Sequence, residues 1–142
     1  MRIRIYLYRS RFLLPTIGQV AEGWLRDIEP VHETPEGDTV ALGKLLELLI
    51  VEGNPTVAAA PPGDRSKPPL VRKSGAKSWR AFEREARAWA LNIDRNSARL
   101  IPYTLAPDGG FEQNVSAAED FNLGSGVQVI ARRIMELAAK GT

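Results

Sequence analysis

Between Lys77 and Phe111 the hydrophobic period of the chain switches, and no other stretch restricts the possible folds as tightly. Ser78 can cap a short helix in which Trp79, Phe82 and Ala86 share one side while Glu83 and Arg84 point outward. Immediately afterwards Trp89, Leu91 and Ile93 alternate with Ala88, Ala90 and Asn92, which is the period of a strand. The polar turn Asp94-Arg95-Asn96-Ser97 leads into a second such run from Ala98 to Leu105, so a hairpin is predicted. Two of the three tryptophans lie here, and aromatic side chains supply much of the burial energy of a small core. A helix feeding a half-buried hairpin needs a sheet to join, and this points to an α+β fold.

The rest of the chain supplies that sheet. Ile3, Ile5 and Leu7 alternate with Arg2, Arg4, Tyr6 and Tyr8, a strand pattern. Phe12–Val20 reads as a second strand, demoted by Pro15 and Gly18 to an edge or bulged one, and Trp24–Val31 as a weaker third. Asp38 or Thr39 can cap a helix carrying Leu42, Leu45, Leu46, Leu49 and Ile50 on one face, ended by Gly53-Asn54-Pro55. Five prolines fall between 55 and 69, and residues 58–69 are expected to form an exposed connector, with a short strand at Leu70-Val71. After the Asp108-Gly109-Gly110 turn an irregular acidic segment precedes a last helix near Ser125, with Val127, Ile130, Ala131, Ile134 and Leu137 at helical spacing. The expectation is one domain over residues 1–142: a mainly antiparallel sheet with two longer helices and one short helix packed on one of its faces.

A chain of 142 residues is long enough to close one core. With no cysteine, a disulfide framework, thiolate metal ligands and cysteine catalysis are excluded. The N-terminus lacks the continuous apolar run of a secretory signal, and no segment approaches the ~20 apolar residues of a membrane span, so a cytoplasmic protein without a membrane partner is expected. The net charge of +2 is too small to argue for nucleic acid, but charge is segregated along the chain. Asp27, Glu29, Glu33, Glu36 and Asp38 form an acidic stretch without a base. Arg65, Lys67, Arg72, Lys73, Lys77 and Arg80 form a basic stretch without an acid, and Asp108, Glu112, Glu119 and Asp120 restore the acidic sign.

No residue set spells out a reaction. The single histidine, His32, sits near Glu29, Glu33 and Glu36 and could act as a base or a metal ligand, but the bland alternative is a loop histidine paired with a carboxylate. Lys73-Ser74-Gly75-Ala76-Lys77-Ser78 lacks the glycines of a phosphate loop. The basic run at 65–80, beside Trp79 and Phe82, could grip nucleic acid by phosphate contacts and stacking, although both aromatics fall on the inner face of their helix. The acidic segments could instead imitate a polyanion and seat on a basic protein cleft. No cofactor and no metal is expected.

Arg4-Ile5-Tyr6-Leu7-Tyr8, Phe12-Leu13-Leu14-Pro15-Thr16, Asp27-Ile28-Glu29-Pro30-Val31, the Lys77–Arg84 run with Trp89, and Pro107-Asp108-Gly109-Gly110-Phe111-Glu112 together resemble a family of bacterial contact-dependent growth inhibition immunity proteins. The resemblance spans most of the chain and rests on packing and turn residues. It implies a non-enzymatic cytoplasmic protein that binds, one to one, the C-terminal toxin domain of a cognate effector, often a nuclease, and covers its active site. It carries over no contact residue. The acids at 27–38 and 106–123 are the expected partner surface, with the bases at 65–80 as the other candidate and nucleic-acid binding by those bases as the competing function.

Overall fold

The computed structural model describes residues 1–141 and shows an α+β fold built on one eight-stranded, mainly antiparallel sheet. Strands β1 (Arg2–Tyr8), β2 (Arg11–Val20) and β3 (Leu25–Pro35) form the expected meander. Helix α1 (Thr39–Glu52) and the two-residue strand β4 (Thr56–Val57) follow, then the short helices α2 (Pro69–Ser74) and α3 (Trp79–Glu85). The hairpin of β5 (Arg87–Asp94) and β6 (Ser97–Leu105) comes next, then β7 (Phe111–Gln113), β8 (Glu119–Asn122) and helix α4 (Val127–Ala139). The strand order is β3-β2-β1-β5-β6, with β7 and β8 on the outer edge of β6 and β4 parallel to the end of β2.

The helices cover both faces, not one. On the first face α1 and α4 enclose Ile3, Ile5, Phe12, Leu14, Trp89, Leu91 and Leu100. The two helices meet at Gly43, where a Cβ would collide with the side chain of Gln128 lying over it. On the second face α2 and α3 enclose Tyr6, Tyr8, Leu13, Leu70, Phe82 and Ala88. The expected strand at Leu70-Val71 is the first turn of α2, whose start is marked by Pro69; proline fits the first helical turn because its missing N–H has no partner there anyway. The basic residues Arg72 and Lys73 close that helix at its favourable C-terminal end. Residues 58–68 are exposed coil, as the prolines predicted.

Two further expectations change and one resolves. Strand β3 runs on past the expected end at Val31, through His32–Pro35; Leu13 faces Glu33 and Phe12 faces Thr34 across the ladder. Of the two alternatives for β2 the bulge holds and the edge does not: it is an interior strand whose register slips between Pro15 and Thr16, where Pro15 can sit without a ladder donor. The acidic segment after Gly110 is not irregular throughout but contributes β7 and β8 to the edge of β6.

Strands β1 and β2 pair only near their hairpin, from Tyr6–Leu13 to Tyr8–Arg11, and then splay apart. Asn54 fills the gap. Its Oδ1 accepts from the Arg2 backbone N–H at 2.8 Å, while its Nδ2 donates to the carbonyls of Arg2 (2.9 Å) and Ile17 (3.3 Å). A single side-chain amide thus replaces the missing ladder. Asn54→Ala is expected to lower the unfolding free energy by about 1–3 kcal/mol, the range for leaving backbone groups unpaired where water reaches them only partly, with Asn54→Asp intermediate because only the acceptor survives. Urea denaturation of the three proteins checks the order.

Candidate functional site: a polar row on the open half of the sheet

Helices α2 and α3 shield only part of the second face. Beyond Tyr6 and Ala88 the strands continue uncovered, and period-two alternation aims polar side chains into the opening. Register then lines them up across four strands: Arg2 of β1 faces Asn92 of β5, Asn92 faces Arg99 of β6, and Arg99 faces Asp120 of β8. Arg2 Nε donates to Asn92 Oδ1 at 2.8 Å, and Arg99 grips Asp120 through two bonds of 2.8 and 3.2 Å. This row floors an open groove of about 1230 Å³. One wall carries Trp24, which stands in the turn before β3 and is 51% exposed.

A second hollow of about 400 Å³ adjoins it and shares Arg2 and Arg4. Its walls are aromatic: Trp79, Tyr103 and Phe111 surround Tyr6, with the Tyr6 and Phe111 ring centres 6.0 Å apart. At its floor Arg4 Nη1 donates to Asp27 Oδ1 at 2.7 Å, and the Tyr6 hydroxyl lies 3.4 Å from Asp27 Oδ2. Burial pushes the Asp27 carboxyl up, outweighing the pull of the Arg4 guanidinium. For Arg4 burial pulls the other way, yet the nearby Asp27 charge leaves its value raised. On both sides the contact favours the charged pair; burial outweighs it at Asp27, whose second oxygen has only the long phenol contact, and does not at Arg4. Tyr6 is held well above the ordinary phenol value, first by burial and then by the Asp27 charge, and it remains a neutral donor. Glu83 of α3 is buried at the rim and accepts from the Gly110 N–H at 3.1 Å, pinning the turn between β6 and β7 to the helix.

The charge blocks read from the sequence lie against one another. Glu29 pairs with Arg72 (2.8 Å) and Glu33 with Arg11 (2.7 Å) and Lys73 (3.7 Å), so the acidic strand β3 is partly neutralised by the basic helix α2. Asp27 belongs to Arg4, Glu119 to Arg133 and Asp120 to Arg99. Asp38 caps α1 by accepting from the Ala41 N–H. Of the nine candidate acids only Glu36, Asp108 and Glu112 have side chains without an intramolecular partner among the described residues, and they do not form one group: Glu36 follows β3 at one edge of the sheet, whereas Asp108 precedes β7 and Glu112 lies in it at the opposite edge. Acids and bases therefore do not form the single-signed patches their order in the chain suggests.

The two remaining constellations fare similarly. His32 and Glu33 are successive strand residues and point to opposite faces, and the His32 Nε2 is buried without a hydrogen-bond partner. Phe82 is wholly buried in the core and cannot stack on a base, and the half-buried Trp79 packs against it and lines the second hollow. No group of three or more His, Asp or Glu residues suited to a metal is found among the described residues. The groove itself was missed in the sequence. Its one visible signal was the placement of Arg2 and Arg4 on the non-aliphatic side of β1.

No protein-family profile matches this chain, and no curated protein matches it either. Among solved structures it is similar to NMB0488 from Neisseria meningitidis, described as a protein of unknown function, with a TM-score of 0.68 at 11% identity over 92% of this chain and 88% of that one. At that identity the likeness establishes a shared fold. Among the described residues no helix is long and apolar enough to cross a membrane.

Proposed function

We propose that this chain is a cytoplasmic immunity protein of the contact-dependent growth inhibition type, which binds the C-terminal toxin domain of a cognate effector one to one and covers its active site without catalysing a reaction. The reading draws on the resemblance carried by the Arg4–Tyr8, Phe12–Thr16, Asp27–Val31, Lys77–Arg84 and Pro107–Glu112 segments. The observation that carries it is the half-exposed Trp24 on the wall of an open groove floored by arginines. Tryptophan and arginine are the residues that most often dominate protein interfaces, and a groove this open suits a protein surface better than a small substrate.

On this reading the contact surface is the groove rather than the acidic segments. Five of the nine candidate acids are held in internal ion pairs, so engaging them would first require breaking those pairs. Co-expression with the C-terminal domain of an exoprotein encoded immediately upstream is the test. Restored growth of cells producing that domain, together with a one-to-one complex on size-exclusion chromatography, is the expected result. A domain that stays toxic and elutes separately from the folded protein would refute the proposal.

A further inference from the structure

We infer that the groove recognises a carboxylate-bearing segment of its protein partner, seated between the guanidinium of Arg2 and the indole of Trp24; this rests on the reading of the chain as a protein-binding module. Among the described residues Arg2 is the one arginine of the groove without a carboxylate partner. Arg4 is committed to Asp27 and Arg99 to Asp120, whereas Arg2 spends only its Nε, on the neutral Asn92 amide. That bond fixes the plane of the guanidinium and leaves both terminal nitrogens without a partner among the described residues, on a side chain that lines both hollows. A planar, pre-oriented guanidinium with two parallel N–H donors matches a carboxylate in bidentate geometry, and little side-chain entropy remains to be lost on binding.

The neighbours define what else the segment must carry. Arg4, two residues along the same strand face, is balanced by Asp27, so the positive field at the junction is that of Arg2 and favours an anion there. Trp24 offers an apolar surface at the opposite wall, suited to an aliphatic or aromatic residue beside the acid. Asp94, which lines the groove without an ion-pair partner among the described residues, opposes a long run of phosphates, which favours a short acidic peptide segment over a nucleic acid.

Selection of short displayed random peptides on the folded full-length protein tests this without the toxin. The expected result is enrichment of peptides with Asp or Glu next to an apolar residue, binding that weakens with salt, and a blue shift of tryptophan emission that is lost in Trp24→Phe. Arg2→Gln and Trp24→Ala should each weaken the selected peptides by about tenfold or more while keeping the urea midpoint of the parent. Enrichment of basic peptides, failure to select any, indifference to both substitutions, or displacement of the peptides by a single-stranded oligonucleotide that binds through Arg2 would overturn the assignment. The same two variants separate this inference from the functional reading. A toxin domain that still binds both with parent affinity removes the groove and leaves the immunity reading standing, whereas acidic peptides that bind while the toxin domain does not remove the immunity reading alone.

Discussion

Arg4→Met is expected to cost about 3–5 kcal/mol of unfolding free energy at neutral pH, the penalty for leaving a buried charge without its partner. Both side chains of the Arg4–Asp27 pair are largely covered, at 20% and 15% exposure, so solvent screens the interaction little. Removing the guanidinium leaves Asp27 with only the long contact to the Tyr6 hydroxyl. Its carboxyl is already raised by burial with Arg4 present, and it must rise further without it. A raised carboxyl means that the folded protein binds more protons than the unfolded chain between the ordinary carboxylate range and the raised value. Stability from this group is therefore greatest below that window and is lost as pH climbs through it. In Arg4→Met the window widens upward, so mild acidification should recover part of the loss while the parent changes far less. The double variant Arg4→Met/Asp27→Leu removes both charges and should regain most of the stability at neutral pH. Urea midpoints at neutral and mildly acidic pH decide it: a single variant whose deficit ignores pH, or a double variant no better than the single, would contradict the assignment of the cost to a stranded carboxylate.

The same pair shows why charge order in a chain is a poor guide to a surface. The acidic run at 27–38 and the basic run at 65–80 look like two competing interfaces when read in sequence. In three dimensions α2 packs beside β3, and Glu29 and Glu33 meet Arg72, Lys73 and Arg11. The strand and helix members of both runs are partly neutralised by contacts spanning up to 43 residues, a distance over which no local pattern carries information. The groove was hidden for the same reason. Its floor depends on the β1–β5 register, Arg2 to Asn92, which joins residues from opposite halves of the chain. Short-range signals, by contrast, were legible: the Asp38 cap of α1, the Ser78 cap of α3, the Asp94–Ser97 turn and the apolar faces of α1 and α4 are all properties of a few adjacent residues. Where local reading failed it met non-local packing. Leu70-Val71 is too short for periodicity to discriminate, and the face of β1 that carries Tyr6 and Tyr8 needed a second helical layer that the long helices alone could not provide.

That second layer hinges on Phe82, and Phe82→Ala is expected to destabilise the protein by about 3–5 kcal/mol, the usual range for emptying a buried aromatic site. The ring is wholly buried and touches every aromatic neighbour that matters: it stacks on Tyr8 at 5.0 Å between centres and on Trp79 at 5.4 Å, and meets Tyr6 edge-on at 5.6 Å. Helix α3 has only seven residues, too few to persist in water without tertiary support. Its hold on the sheet is this ring, aided by the Glu83 bond to the Gly110 N–H. The α1–α4 layer uses a separate cluster of side chains on the other face, with Trp89 and Phe12 at its centre. Loss of Phe82 should therefore loosen α3 and the β6–β7 turn first and leave the opposite face comparatively intact. Near-UV circular dichroism of the Tyr6, Tyr8 and Trp79 cluster should fall while far-UV helicity, set mainly by α1 and α4, is largely kept, and amide exchange should accelerate in residues 79–85 ahead of residues 127–139. Uniform acceleration across both helical layers would instead mean that the two cores open as one unit. In that case the wall of Trp79 and Phe111 beside Arg2 and Arg4 would be as rigid as the sheet itself.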